Sequence, residues 1–210
     1  MEMRELGRTG VKVSAMGLGV MTFGAQTGRE DAFAQLDLAT EAGVNLIDTA
    51  ENYPAFVSGE IQGCSEENGY SLLDRRYEVA LAEIAMREQV GLLAYSPLAG
   101  GMLTGKHLKP DANIEDSRLS AWEDYGKRYA RPRIQEAAGA YVAIAERHGL
   151  DPAAMALAFV RERPFVTSVL MAASSVGQLK KNLANLDVRL PRDLVKEIDA
   201  VHDAAPNPTI

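Results

Sequence analysis

Apolar positions in this chain fall in short runs, separated by stretches where they recur every three or four residues. That is the pattern of strands alternating with helices. Met3 to Leu6 and Val11 to Ser14 flank Gly7-Arg-Thr-Gly10 and predict a small hairpin. Met16-Gly-Leu-Gly-Val20 predicts a short buried strand. Between Arg29 and Ala42, the residues Ala32, Phe33, Leu36 and Ala39 share one face of a predicted helix, and Gly43 suits its C′ position. Val44 to Ile47 predicts a second strand, followed by a polar, Gly-containing loop from Pro54 to about Gly69. Tyr77 to Gln89 predicts a helix and Gly91 to Tyr95 a third strand. A loop from Ser96 to Lys106 then opens a longer one to about Arg131.

The C-terminal part is well punctuated. Ile134, Ala138, Tyr141, Ala145 and His148 mark one helical face, closed by Gly149. Asp151-Pro152 predicts an N-cap with Pro at N1, opening a helix to about Arg163. Val166 to Met171, rich in β-branched residues, predicts a fourth strand. Either Ser174 or Ser175 can cap a helix from Val176 to Leu186, and Leu190-Pro191 opens a last helix to about His202. Strand-then-helix order implies right-handed parallel crossovers and an α/β fold.

Composition changes this picture little. The chain has 210 residues, 47% of them apolar and 24% charged, with a net charge of −7. That is enough for one buried domain, and the charge argues against a nucleic-acid or anionic-membrane surface. Cys64 is alone, which fits a reducing, cytoplasmic setting. The start, MEMRELGRTG, has no apolar core and does not read as a signal peptide. No metal-ligating set is expected.

Three places carry candidate chemistry. In Asn45-Leu-Ile-Asp48-Thr-Ala-Glu51-Asn-Tyr53, an apolar run delivers an acid to a strand end, and a phenol follows five residues later. Ser96-Pro-Leu-Ala-Gly-Gly-Met-Leu-Thr-Gly-Lys106 offers backbone N–H groups, a hydroxyl and an ammonium, with Arg118 as a further cation. Ser174-Ser-Val-Gly-Gln178 leads into a helix N-terminus, where exposed N–H groups and the helix dipole favour a phosphate. Spacing alone is equally met by plain turns and a plain helix cap. G-x-G-x-x-G is absent, which speaks against a Rossmann fold.

Five segments in order resemble the aldo-keto reductases, in the bacterial members related to the potassium-channel β-subunit branch. Gly17-Leu-Gly-Val-Met-Thr-Phe-Gly24 resembles that family's strand one, and Asp48-x-x-Glu51-x-Tyr53 the motif after strand two. Tyr70-Ser-Leu-Leu-Asp-Arg75 resembles the segment after strand six. Ala94 to Lys106 resembles strand seven with its loop, and Ala173 to Asn182 strand eight with its helix. The resemblance implies a (β/α)8 barrel with its site at the strand C-termini. The chain is short for such a barrel, and the resemblance runs from the lead-in to helix two directly into the exit from strand six. The implied architecture is an incomplete barrel, one truncated domain (1–67 the barrel start, 68–210 its end) joined near Glu67–Asn68. Strands one, two, seven and eight are kept as a half barrel, in the order two, one, eight, seven. Val44–Ile47 and Gly91–Tyr95 are then open edges, through which a homodimer could close.

The resemblance also implies chemistry. The family reduces aldehyde and ketone carbonyls with NADPH. Tyr53 would be the proton donor and Asp48 its electrostatic partner. Met21, Tyr95, Ser96, Pro97, Leu98, Ala99, Gly100 and Lys106 would hold the cofactor, and Ser174, Gln178 and Asn182 its adenosine 2′-phosphate end, which implies NADP(H). Val20, Gly69 and Ala172 depart from the family pattern. The family's catalytic Lys and His, from the ends of strands three and four, have no counterpart. His107, His148 and His202 do not match, nor does any lysine present. The expected function is an NADPH-dependent oxidoreductase with impaired turnover. The alternative is a catalytically silent NADP(H)-binding remnant or gene fragment.

Overall fold

A computed structural model of the chain describes residues 1–49, 68–108, 127 and 129–209. The described residues fall into two compact units. One comprises Met1–Asn68, Ala82–Tyr95 and Arg163–Asp187, the other Gly69–Leu81, Ser96–Glu162 and Val188–Ile210.

The first unit begins with the predicted hairpin: β1 (Met3–Glu5) pairs antiparallel with β2 (Lys12–Ser14). Then come β3 (Met16–Gly19), α1 (Arg29–Glu41) and β4 (Ile47–Asp48). After β5 (Asn68–Gly69) and α2 (Leu81–Glu88) follow β6 (Leu92–Tyr95), β7 (Val166–Met171) and α5 (Val176–Leu183), with α3 (Pro132–Arg147) and α4 (Pro152–Arg161) lying between β6 and β7 in the chain. The sheet order is β4-β3-β7-β6-β5, and the pairings β3–β4, β3–β7 and β6–β7 are parallel. The four strands expected in the order two, one, eight, seven therefore stand in that order. Every residue of β3 and β7 is buried, as befits central parallel strands covered on both faces. A Cβ on Gly17 would lie 2.8 Å from Leu170 Cδ2 and 3.2 Å from Leu46 Cδ2, so a side chain there would push back the Leu170 and Leu46 methyls that close over β3.

Three expectations about this sheet and α1 need correction. The strand expected at Val44–Ile47 is reduced to Ile47–Asp48, because Asn45 serves the hairpin instead. Its Oδ1 accepts from Ser14 N (2.7 Å), its Nδ2 donates to Lys12 O (3.1 Å), and its backbone N donates to Ser14 Oγ (3.1 Å). Gly91–Tyr95 is not an open edge, because β5 takes the place beyond β6. In α1 the buried residues are Gln35 and Ala39, and Phe33 is 55% exposed. Phe33 instead lies under the Arg29 guanidinium, 5.6 Å from its centroid. Neither amide atom of Gln35 meets a hydrogen-bond partner.

The second unit is built around helices α3 (Pro132–Arg147), α4 (Pro152–Arg161) and α6 (Arg192–Ala204). Of the face predicted for α3, Ile134, Ala138, Tyr141 and Ala145 are buried, while His148 is exposed at the C-cap, where its Nε2 meets Glu197 Oε1 (2.8 Å). Asp151 caps α4 as expected, its Oδ1 accepting from Ala153 N (2.9 Å) and Ala154 N (3.1 Å). From Ala153 to Arg161 every residue of α4 is buried, so it is the unit's central helix. The helix expected over Tyr77–Gln89 is broken. A 3₁₀ turn, Arg76–Val79, ends at Ala80 (φ −147°, ψ −44°) before α2 begins. The turn is anchored instead from Arg75, just before it, whose backbone N and Nη1 donate to Asn207 and Asp199 far along the chain. Arg76 pairs with Asp74 (2.7 Å), and Glu78 is drawn to Arg75.

Arg75 organises this unit. Its Nε and Nη2 donate to the two Glu78 carboxylate oxygens and its Nη1 to Asp199 Oδ1, each at 2.8 Å. Its guanidinium lies 5.1 Å over the Phe159 ring, and Tyr70 donates to Glu78. Burial acts to lower the Arg75 pKa, but the hydrogen bonds to Glu78 and Asp199 outweigh it and hold the pKa above its ordinary value. The C-terminal tail is tied to the same segment, with Asn207 Oδ1 accepting from Arg75 N (2.7 Å) and Thr209 donating to Leu73 O (3.2 Å). Among the described residues, no helix is long and apolar enough to cross a membrane.

A contrast of two substitutions tests this account. Arg75 is 9% exposed in its side chain and Asp199 44%. Arg75→Ala leaves Glu78 without its bidentate partner and is expected to cost about 3 kcal/mol. Asp199→Ala removes a half-exposed partner and is expected to cost less than about 1 kcal/mol. Urea denaturation measures both, and equal losses would contradict the central role of Arg75.

Candidate functional site

Parallel pairing puts the C-terminal ends of β3, β4, β6 and β7 at one end of the first unit's sheet. Asp48 ends β4 and is partly exposed. Its backbone O accepts from Val20 N (3.0 Å), and its Oδ2 lies 3.7 Å from the place a Cβ on Gly19 would take. Tyr95 ends β6 with 44% of its surface exposed, a broad ring at a strand end. Met21 sits half-buried in the turn after β3. Tyr53 and Arg118 lie outside the described residues.

The segment after β7 resolves the choice of cap. Ser175 is the N-cap of α5, its Oγ accepting from Gln178 N (3.3 Å). Ser174 does something else. Its backbone N and its Oγ both donate to Gln178 Oε1, each at 3.1 Å. Two donors converging on one acceptor oxygen is an arrangement that an anionic oxygen also satisfies. Asn182, one turn further along, is 8% exposed. Beside this segment, Thr22 donates to Ala173 O (3.4 Å) and Thr27 donates to Thr22 Oγ1 (2.9 Å), with both hydroxyl residues buried.

The second unit carries the loop Ser96 to His107. Its chain turns tightly: Ser96 (φ 55°), Ala99 (48°), Gly100 (66°), Gly101 (95°) and Gly105 (77°) all have positive φ. Ala99 N donates to Ser96 O and Gly101 N to Leu98 O, both at 2.9 Å, while Pro97 and Ala99 are buried. Gly101 is needed twice over, for its φ and for space. A Cβ there would lie 3.1 Å from Lys106 Cε and 3.2 Å from His107 Nε2. Lys106 is exposed beside this concave backbone. Both ring nitrogens of His107 are buried without a hydrogen-bond partner. Burial, and secondarily the Lys106 charge, pushes its pKa down to about 4. A tight glycine turn with a lysine over it suits a phosphate better than an apolar ligand. Neither His107 nor the Thr22–Thr27 pair was legible as functional. His107 read as a loop residue after Lys106, and Thr22 as one letter of the Gly17–Gly24 segment.

The family model described as aldo/keto reductase matches residues 15–68 and 57–203, most of the chain in two segments. The chain belongs to the aldo/keto reductase family. This is a family of oxidoreductases that use nicotinamide cofactors, and its fold is the (β/α)8 barrel. Protein tas of Escherichia coli (strain K12) is 50% identical over 136 residues, covering 65% of this chain and 39% of that protein. An uncharacterized oxidoreductase of Bacillus subtilis, YrpG, is 28% identical over 137 residues, 65% and 40% of the two chains. A probable voltage-gated potassium channel subunit beta of rice (Oryza sativa subsp. japonica) is 31% identical over 150 residues, 69% and 45%. The chain thus matches 39–45% of the length of these relatives.

The buried imidazole of this aldo/keto reductase chain sets a pH dependence. The unfolded chain protonates His107 near 6.5, the folded one near 4. Between these values the unfolded state binds more protons, so stability falls as pH falls through that window and is fully present above it. His107→Phe is expected to flatten this part of the profile of urea midpoint against pH. An unchanged profile would mean that the ring is protonated as readily folded as unfolded.

Proposed function

We propose that this chain is an NADP(H)-binding oxidoreductase of small aldehyde and ketone carbonyls whose turnover is impaired. The observation that carries the reading is the family match over 57–203, which takes in both the Tyr95–Lys106 and the Ser174–Asn182 segments. Within the first unit, Tyr95 offers a ring face to the nicotinamide beside Met21, and Ser174, Gln178 and Asn182 take the adenosine 2′-phosphate end. Within the second unit, Ser96, Pro97, Leu98, Ala99, Gly100 and Lys106 take the pyrophosphate. When bound, the cofactor supplies hydride to the carbonyl carbon. Tyr53 gives its phenolic proton to the carbonyl oxygen, and Asp48 is its electrostatic partner.

Impairment follows from that last step. A free tyrosine has a pKa of about 10 and is a weak acid at pH 7. The family lowers it with a lysine, and this chain has none at the matching position. Loss of a tuned general acid costs ~10²–10⁴-fold in rate. The reading treats 1–67 and 68–210 as the start and end of one truncated barrel domain. The two-segment family match, 15–68 and 57–203, supports a join near Glu67–Asn68. The lone Cys64 favours a cytoplasmic setting.

Titration with NADPH and NADH by fluorescence is expected to show tighter binding of NADPH. NADPH oxidation with 4-nitrobenzaldehyde is expected to run well below the ~1–10³ s⁻¹ usual for enzymes, and Tyr53→Phe to lower it further. Equal affinities would overturn the cofactor assignment, and ordinary turnover would overturn the impairment. Binding without any turnover would favour a silent remnant.

Self-association along the free end of the sheet belongs to the same proposal. Among the described residues β4 ends the strand order, and its Ile47 is 53% exposed, an invitation to pair with a second copy. Light scattering after size exclusion is expected to give a mass above the 22.7 kDa of one chain. A stable monomer at high concentration would rule this out.

A further inference from the structure

A planar peptide group carries its C=O and its N–H on opposite sides, so fixing one fixes the other. The peptide between Ala173 and Ser174 is held at both. Its carbonyl accepts from Thr22 Oγ1 (3.4 Å), and its N–H donates to Gln178 Oε1 (3.1 Å). The Thr22 contact is long for a hydroxyl, but it is made in full burial, with Thr22 1% exposed and Ala173 2%. Thr27, 0% exposed, stands behind it and donates to Thr22 Oγ1 (2.9 Å). This leaves Thr22 its own proton for the carbonyl. The Thr27 backbone closes the same loop, its N donating to Thr22 O (2.9 Å) and its O accepting from Gly24 N (3.0 Å). The two segments meet because Leu18 pairs in parallel with Met171, so the chains leaving β3 and β7 run out side by side.

We infer that Thr22, backed by Thr27, is a positioning residue. It holds the Ala173–Ser174 peptide so that the Ser174 N–H faces the anion-binding side. Neither hydroxyl meets the ligand. Thr22 works through the orientation of a donor that does, and it sets how well the segment discriminates a phosphate-bearing dinucleotide from one without that phosphate. The inference rests on the NADP(H)-binding reading for its ligand, but not for its geometry.

Two readouts keep these apart. The first needs no cofactor: amide hydrogen exchange of the folded protein by NMR. Thr22→Val is expected to speed exchange at Ser174 about tenfold while leaving Val169 and Leu170 in β7 protected. Thr27→Val should do the same more weakly, and Thr22→Ser, which restores the hydroxyl, should keep wild-type protection. The second readout is dinucleotide affinity. Thr22→Val is expected to raise the NADPH Kd about five- to tenfold, near the worth of one hydrogen bond, with little change for NADH, and Thr22→Ser to restore it. Unchanged Ser174 protection in Thr22→Val would overturn the inference, as would a Thr22→Ser variant as damaged as Thr22→Val. If Thr22→Val does not fold, Thr27→Val and Thr22→Ser carry the same comparison. A wild-type protein that binds neither dinucleotide would sink the cofactor reading, and the exchange result would still decide the positioning role.

Discussion

The pairing of Met16–Leu18 with Val169–Met171 is the constraint on which the first unit depends. These strands lie far apart in the chain, so closing that contact carries a loop-closure cost that only burial can offset. Both strands are buried throughout, and β3 keeps Gly17 so that Leu170 and Leu46 can close over it. Everything at the sheet's C-terminal end inherits its position from this register. Asp48 stands beside Gly19 because β4 pairs with β3, and the Ser174 segment stands beside Thr22 because β7 pairs with β3. At the opposite end, Ser14 ties the hairpin to the same strands. Its carbonyl accepts from Ser168 Oγ (2.8 Å), and Arg4 donates to Val166 O (2.7 Å).

The second unit is held by a different logic. Its apolar interior, around α4, also takes in a charge. Arg75 is tolerable there because each of its three side-chain nitrogens donates to a carboxylate and its flat face has an aromatic ring. That arrangement specifies more than it stabilises, since a buried ion pair gives back much of what desolvation takes. It fixes one geometry for the Tyr70–Glu78 segment, for α6 through Asp199, and for the tail through Asn207.

Elements whose signal is local were legible in the sequence. The hairpin turn, the β-branched run of β7 and the Asp151-Pro152 cap each carry their own instruction, and each formed where expected. Elements decided by distant partners were not. The strand at Val44 is curtailed by Asn45 reaching the hairpin, and the helix at Tyr77 is broken by the Arg75 network. α1 shows the same limit from another side. The predicted face keeps Ala39 but is turned slightly, so that Gln35 is buried in place of Phe33, and periodicity in a short amphipathic helix does not resolve so small an angle. In the candidate site, Ser174 and Gln178 stood out through the resemblance of Ala173–Asn182 to the family's last strand and helix, and their mutual contact spans only four residues. Thr22 did not, because its partner is 151 residues away.

Under the proposed reading, binding and proton transfer respond differently to a shortened barrel. Dinucleotide binding is spread over many contacts of about 1 kcal/mol each, so the loss of a few weakens it by degrees. Protonation of the carbonyl is concentrated in one hydroxyl whose acidity depends on a neighbouring cation, so the loss of that neighbour falls on a single step. The segments this chain retains are rich in the first kind of contact: backbone N–H groups at Ser174, the glycine turn at Gly100–Gly101, a lysine at its lip. On the same proposal, Tyr53 is the acid and no lysine of the sequence matches the position that would tune it. On this proposal, ligand binding and proton donation rest on separate residues, so a change to one need not follow a change to the other.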